Sequence, residues 1–244
     1  MDHQDRDILL KRVNAVRQQL ADASGGKYPP PRLIAVSKTQ PAERIALLKG
    51  SGISDLGENR VQEIQEKWPL LGENFRFHQI GRLQTNKVKY IIEKVCLIQS
   101  LDRLSLAQEI DRQSQKHHLV TPVLLQVSPA AEPQKGGAAP EDVRTLLRQC
   151  AQLPGLHVRG LMAIMPNTQD EAYLSRLFGE MRTLFDQLRE EDISGVSMEE
   201  LSMGMSGDYL LAARHGATMV RIGSAIFGPR TAPAPEDAIQ ADNH

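Results

Sequence analysis

The sequence predicts a single (β/α)8 barrel, and three observations carry that prediction. Short apolar runs of strand length alternate with helical stretches. Eight such units fit into about 200 residues, the small end of the range for this fold. The first run ends in a lysine, where a doubly wound open sheet, the rival architecture, usually carries a glycine fingerprint.

Taken in order, Ile8, Leu9, Val13, Val16 and Leu20 recur near helical spacing and form an opening helix, broken by Gly25-Gly26 and Pro29-Pro30-Pro31. Leu33-Ile34-Ala35-Val36 is too short for a buried helix and reads as the first strand, with Lys38 at its carboxyl end and Pro41 closing the extended run. Residues 41–50 open on proline, hold good helix formers and end on glycine, the asymmetry of a short helix. Further strands are expected at 53–57, 75–80, 95–99, 123–127 and 158–164. Helices at 61–68, 83–93, 104–117, 142–153 and 174–189 alternate with them, and 128–140 is a polar loop. A short strand at 200–203, a helix at 208–215, a last strand at 218–222 and a small closing turn complete the count. The eight carboxyl ends fall at or near Lys38, Asn59, His78, Ser100, Ser128, Met162, Ser202 and Arg221, and in a barrel these ends collect the chemistry. The expected organisation is therefore an N-terminal helix and linker over 1–30 packing on the barrel, the barrel over 31–229, and a disordered tail over 230–244, which has too little apolar content to fold.

A chain of 244 residues, 41% of them hydrophobic, can bury one large core. Its 29 Lys and Arg against 30 Asp and Glu leave a net charge of -1 and no long-range pull toward nucleic acid or an anionic membrane, so neither is an expected partner. No window approaches the roughly 20 apolar residues of a membrane helix. The charged start Met1-Asp2-His3-Gln4-Asp5-Arg6-Asp7 lacks the features of a secretory signal, and a cytoplasmic location is expected. Cys96 and Cys150 match no paired ligand spacing; they read as buried thiols, and no metal is expected.

The last two strand ends carry the clearest constellation. Leu201-Ser202-Met203-Gly204-Met205-Ser206-Gly207-Asp208 runs into a helix whose free N–H groups suit an anion, and Ser206 adds a hydroxyl. Val220-Arg221-Ile222-Gly223-Ser224 ends a strand on a glycine that lets backbone approach a ligand, followed by a serine. Barrel enzymes often bind phosphate between the loops after strands seven and eight. The same residues also read as an ordinary helix cap and an ordinary turn. A phosphate there together with a lysine amine at the first strand end has a specific meaning, because the amine forms a Schiff base with an aldehyde and pyridoxal phosphate carries both groups.

At Ala35-Val36-Ser37-Lys38-Thr39, Gly57-Glu58-Asn59, the segment from His78-Gln79-Ile80-Gly81 to Lys87, Gly160-Leu161-Met162-Ala163-Ile164, Leu201 to Ser206, and Val220 to Gly228, the chain resembles the pyridoxal phosphate homeostasis proteins. The resemblance covers nearly all of residues 33–228, and it departs from the pattern at Arg82, where members often carry proline. It implies the barrel of the alanine racemase N-terminal domain (fold type III of the pyridoxal-phosphate proteins) without the second β domain, with Lys38 holding the cofactor as an internal aldimine. It further implies that Ser206, Gly223 and Ser224 receive the phosphate and that Arg221 faces the pyridine nitrogen, where a donor-only, permanently charged guanidinium favours an unprotonated ring. Asn59 is expected to contact the cofactor, whereas a structural hydrogen bond suits His78 at least as well. His117-His118 and the basic run 84–89 read as solvated.

Racemisation needs acid and base groups on opposite faces of a carbanion, and only Lys38 is an obvious candidate, so no catalytic residue is assigned. The expected function is reversible binding of pyridoxal 5'-phosphate by a monomer that regulates the free cofactor level, with pyridoxal-phosphate-dependent apoenzymes as recipients and effects on amino-acid and keto-acid balance. A low-activity amino-acid racemase and a barrel aldolase using Lys38 on a sugar phosphate are the alternatives.

Overall fold

The structure, a computed structural model, describes residues 3–130 and 136–229. The expected tail at 230–244 and part of the polar loop after the fifth strand lie outside the described residues. Eight parallel strands close into a barrel in sequence order: β1 (Arg32–Val36), β2 (Asp55–Glu58), β3 (Arg76–Gln79), β4 (Val95–Leu101), β5 (Thr121–Val127), β6 (Leu156–Ala163), β7 (Val196–Ser202) and β8 (Met219–Ile222). Most of their residues are buried, as expected of parallel strands covered on both faces.

Two apolar cores result. A small one inside the ring contains Ile34, Leu97, Leu124, Met162 and Met219. A far larger one fills the annulus between strands and helices, and it takes in Leu9, Val13, Val16 and Leu20 from α1 (His3–Ser24). Ile8, expected on the same face, is 38% exposed, because four apolar positions already cover the stripe. The α1 helix packs on α7 (Tyr209–Arg214) and α8 (Ser224–Phe227), where Tyr209 Oη donates to Gln19 Oε1 at 2.5 Å and Arg12 Nη1 donates to the Ile226 carbonyl at 3.3 Å.

The remaining helices are α2 (Ala42–Ala46), α3 (Val61–Leu71), α4 (Leu104–Lys116), α5 (Val143–Cys150) and α6 (Glu171–Glu190). Four expectations are corrected. The expected helix at 83–93 is a 3-10 helix over Thr85–Tyr90, since Thr85, Val88, Ile91 and Ile92 are β-branched and only one apolar side needs covering. The third helix continues past Trp68 because Pro69 falls in its last turn, where the lost bond matters least. Strand β7 starts four residues early, at Val196, with Ser197 and the exposed Glu199 disguising its amino end. The closing turn is a one-turn helix, α8.

Register shifts occur between successive strands from β3 to β7, and one of them requires a glycine. Gly160 has φ +145°, and a Cβ there would lie 1.9 Å from the Glu200 carbonyl oxygen in β7. Gly160→Ala is expected to cost about 3 kcal/mol or to prevent folding. Gly207→Ala, with nothing within 4 Å of the added carbon, should stay within about 0.5 kcal/mol of wild type in urea denaturation.

Candidate functional site

A cavity of about 450 Å³ opens at the carboxyl ends of the strands, within the range of small-molecule sites. Lys38, Asn59, Ser206, Arg221, Gly223 and Ser224 all line it, so the residues singled out in the sequence come together at one place.

The backbone on both sides of Lys38 is held from behind. Ser37 Oγ donates to Glu58 Oε1 at 2.6 Å, and Lys67 Nζ donates to the Ser37 carbonyl at 2.8 Å, Glu58 Oε1 at 2.8 Å and Glu63 Oε2 at 2.6 Å. The Thr39 N–H donates to Glu63 Oε2 at 2.8 Å. Thr39 has φ +64°, a left-handed conformation that costs a β-branched residue about 1–2 kcal/mol, and the clamp holds it there. With Ser37 and Glu58 fully buried on the helix side, the alternation of the strand turns Lys38 toward the cavity. Burial pushes the Glu58 carboxyl up to about 7, against the opposing pull of Lys67 and Ser37.

Asn59 is positioned in the same manner. Gln79 Nε2 donates to the Asn59 carbonyl at 3.0 Å and to the Gly81 carbonyl at 2.8 Å. A Cβ on Gly81 would lie 2.5 Å from the Asn59 carbonyl oxygen, so glycine alone permits this approach of the β2 and β3 ends. On the closing side, Gly204 has φ +93° and would put a Cβ 2.5 Å from that of Ala212, which draws the β7 end down onto α7. The Gly204 carbonyl accepts from the Arg221 N–H at 3.0 Å, and Ser206 Oγ accepts from the Gly223 N–H at 3.3 Å.

Ser206 sits, as expected, in the turn that runs into α7, where the Met205 carbonyl accepts from the Tyr209 N–H at 2.9 Å. Helix α7 starts at Tyr209, and Asp208 Oδ1 accepts from the Met205 N–H at 2.6 Å, closing a turn ahead of the helix. Ser224 opens α8, in which the Ile226 and Phe227 N–H groups donate to the Gly223 carbonyl at 3.0 and 2.9 Å. Arg221 is 3% exposed; its Nη1 donates to Ser202 Oγ at 2.7 Å and its Nη2 to the Ala163 carbonyl at 2.8 Å. Burial lowers its pKa to about 10, with Asp208 opposing, and it stays a cation at neutral pH.

His78 is not at the mouth. It is 2% exposed inside the barrel, with Nε2 2.8 Å from Asp55 Oδ1 and Nδ1 3.0 Å from Gln99 Nε2. Strands β5 and β6 end at Val127 and Ala163, each one residue from the expected Ser128 and Met162, while Gln126 and Ile164 line the cavity, as do Ile80, Arg82, Met205 and Phe227. The signal for Gln126 was one polar residue inside the apolar run of β5. His117, expected to be solvated, lies 3.1 Å from Glu93 at the surface. Both cysteines are free, with Cys96 half-buried and Cys150 buried; burial pushes their thiols up to about 11 and about 12. Asp55, His78 and Cys96 bring possible ligand atoms within 4.8 Å of one another, a cluster the sequence spacing did not reveal.

The arrangement suits a molecule with an electrophilic carbon for Lys38, an anionic group for the hydroxyls and amides of Ser206, Gly223 and Ser224, and an acceptor for Arg221. Pyridoxal phosphate fits that donor set. The sequence profile described as alanine racemase, N-terminal domain matches residues 9–231. Pyridoxal phosphate homeostasis proteins of Aquifex aeolicus and Pseudomonas aeruginosa are 41% and 38% identical, over 91% and 93% of this chain and 96% of each relative. The structure of PipY from Synechococcus elongatus with PLP bound is 36% identical and superposes with a TM-score of 0.80, covering 90% of this chain and 100% of that one. Alanine racemase from Corynebacterium glutamicum shares the fold at 13% identity and a TM-score of 0.72, with 92% of this chain matched to 62% of that one.

The raised Glu58 group has a definite pH signature. Its carboxyl has an ordinary value of 4.5 and a folded value of about 7, so across that window the folded state keeps a proton that the unfolded state has released. Its contribution to stability is full below pH 4.5, falls as the pH rises to about 7, and is flat above. Urea denaturation should show wild type losing on the order of 1–3 kcal/mol relative to Glu58→Gln across this window; a difference flat with pH would mean that Lys67 keeps Glu58 ionised throughout. Lys67→Met, which takes the cation from Glu63 and the donor from Glu58 and the Ser37 carbonyl, should cost about 3 kcal/mol in the same assay at neutral pH.

Proposed function

Because the chain belongs to the alanine racemase N-terminal domain family and, within it, to the pyridoxal phosphate homeostasis proteins, we propose that it binds pyridoxal 5'-phosphate in this cavity and helps keep the free cofactor level, and with it amino-acid and keto-acid balance. The observation that carries the reading is a single cavity shared by Lys38, the hydroxyls and amides after β7 and β8, and a buried Arg221.

In this reading Lys38 Nζ would hold the cofactor through its aldehyde carbon, a C=N bond replacing the C=O bond with loss of water. Ser206, Ser224 and the Gly223 N–H hold the phosphate at the far end, and Asn59 borders the ring. Arg221 donates to the ring nitrogen. When bound, the cofactor supplies an electron sink for carbanions, and a guanidinium partner makes it a weak one because it leaves the ring nitrogen unprotonated.

Binding rather than turnover is favoured by the composition of the cavity wall. Among the described residues that line it there is no His, Tyr, Cys, Asp or Glu, the residue types that commonly deliver or take a proton on the second face of a carbanion. Met205, 37% exposed, stands at the rim, and a mouth that open lets cofactor enter and leave. We read the protein as a monomeric carrier of the cytoplasm that passes cofactor to pyridoxal-phosphate-dependent apoenzymes. No helix among the described residues is long and apolar enough to cross a membrane.

Purified protein given pyridoxal phosphate should turn yellow, and borohydride reduction followed by digestion should locate the label on Lys38. Lys38→Ala should stay colourless. Absence of colour, or a label fixed on another lysine, overturns the assignment. Lys38-dependent racemisation of an amino acid at about 1 per second or faster would replace the carrier reading by an enzymatic one.

A further inference from the structure

A continuous chain of polar side chains runs through the barrel interior beneath the cavity. From Arg221, Nη1 donates to Ser202 Oγ at 2.7 Å; Ser202 Oγ donates to Gln99 Oε1 at 2.7 Å; Gln99 Nε2 donates to His78 Nδ1 at 3.0 Å; and His78 Nε2 donates to Asp55 Oδ1 at 2.8 Å. Ser202, Gln99, His78 and Asp55 are each 2% exposed or less. Asp55 borders a second cavity, of about 330 Å³, together with Arg32 and Leu33 from the start of β1. The chain therefore leads from the cofactor cavity toward the opposite end of the barrel.

The direction of every donor follows from the carboxylate. Asp55 Oδ2 already accepts from Ser54 Oγ at 2.6 Å and Arg76 Nη2 at 2.9 Å, and although burial raises its carboxyl, the hydrogen bonds from His78, Ser54 and Arg76 outweigh that and hold it ionised. An ionised carboxylate only accepts, so His78 Nε2 must carry a proton. Burial keeps His78 neutral, which leaves Nδ1 as an acceptor and obliges the Gln99 amide to turn its nitrogen toward it. Gln99 Oε1 then faces Ser202 and takes its hydroxyl proton, and the lone pairs of Ser202 Oγ are left for Arg221. Reversing any one link would set donor against donor or acceptor against acceptor.

Resting on the reading of Arg221 as the ring-nitrogen partner, we propose that Ser202, Gln99, His78 and Asp55 form a one-directional relay that fixes the Arg221 guanidinium in the cofactor cavity. Asp55 and His78 are thus positioning residues for a ligand they do not touch. The relay also accounts for the Asp55, His78 and Cys96 cluster without a metal. A cation there would need the Nε2 lone pair that the relay has filled with a proton, and the Cys96 thiol, pushed up by burial, offers no ready thiolate.

Two measurements test this, and the first needs no cofactor. Nitrogen-15 spectra of histidine-labelled apoprotein, with the His78 signals assigned by their loss in His78→Gln, should show the neutral Nε2–H tautomer at neutral pH. An Nδ1–H tautomer overturns the relay, as does a thiolate-to-metal absorption band on addition of cobalt(II) ions that is lost in Cys96→Ser. The second follows pyridoxal phosphate binding by visible titration. Ser202→Ala and Gln99→Met should each weaken binding about tenfold, the scale of one lost charge-assisted hydrogen bond. The same substitutions in an Arg221→Gln background should change binding less than about twofold, because the residue through which they act is gone. Equal losses in both backgrounds overturn the proposal in favour of general damage to the fold. Should wild type itself bind no pyridoxal phosphate, the cofactor reading fails, and the tautomer measurement still decides the relay.

Discussion

The ladder between the first strand and the last is the interaction on which the rest depends. Arg32 to Ala35 of β1 pair in register with Met219 to Ile222 of β8, and the Arg32 N–H donates to the Thr218 carbonyl at 2.8 Å. That register sets Ile34 beside Arg221 and brings the turn carrying Lys38 to the loop carrying Gly223 and Ser224. A slip of one residue would turn Arg221 out of the ring into the apolar annulus. The neighbouring seam of β7 and β8 has a single in-register pair, Ser202 with Met219. It is reinforced by side chains: Thr218 Oγ1 accepts from the Leu201 N–H at 2.8 Å and donates to Glu200 Oε2 at 2.8 Å, while Arg32 pairs with Glu200 at 2.6 Å.

Polar groups are unusually prominent in what is otherwise an apolar core. Two systems stand out, the Lys67, Glu58 and Glu63 cluster behind Lys38 and the chain from Arg221 to Asp55. Buried ion pairs add little net stability, because desolvation consumes most of the Coulomb attraction. Their value here is directional. A hydrophobic filling of the same volume would hold the strands as well, yet it could neither lock the backbone on both sides of Lys38 nor dictate which atoms of Arg221 point where.

The eight-strand alternation was legible because β-branched and leucine-rich runs are short and separated by turn residues, and because the lysine and the two serine-glycine segments fell at strand ends. The failures have physical causes. His78 stands at a strand end by count, but the inward-facing parity of β3 puts its imidazole one layer below the mouth, against Gln99, in the structural hydrogen bond that suited it at least as well from sequence. Gln126 escapes a reading from strand ends because β5 does end at Val127, beside Ser128, while the pleat turns Gln126, one position earlier, to the cavity. The clamp was invisible, since Lys67 is one lysine among polar neighbours on a helix and only tertiary packing reveals that it is 6% exposed. The polar chain inside the ring joins residues from five strands, and no local pattern announces such a path.

Ring closure by the final strand has a consequence for biosynthesis. Lys38 and its clamp belong to the first third of the chain, but the hydroxyls, amides and guanidinium that complete the pocket emerge from the ribosome after residue 200. A nascent polypeptide that has exposed only strands one to six therefore still lacks the groups that grip the far end of a vitamin-derived ligand. The ligand can act on the finished molecule alone, as a stabiliser of a closed ring and not as a template for its assembly.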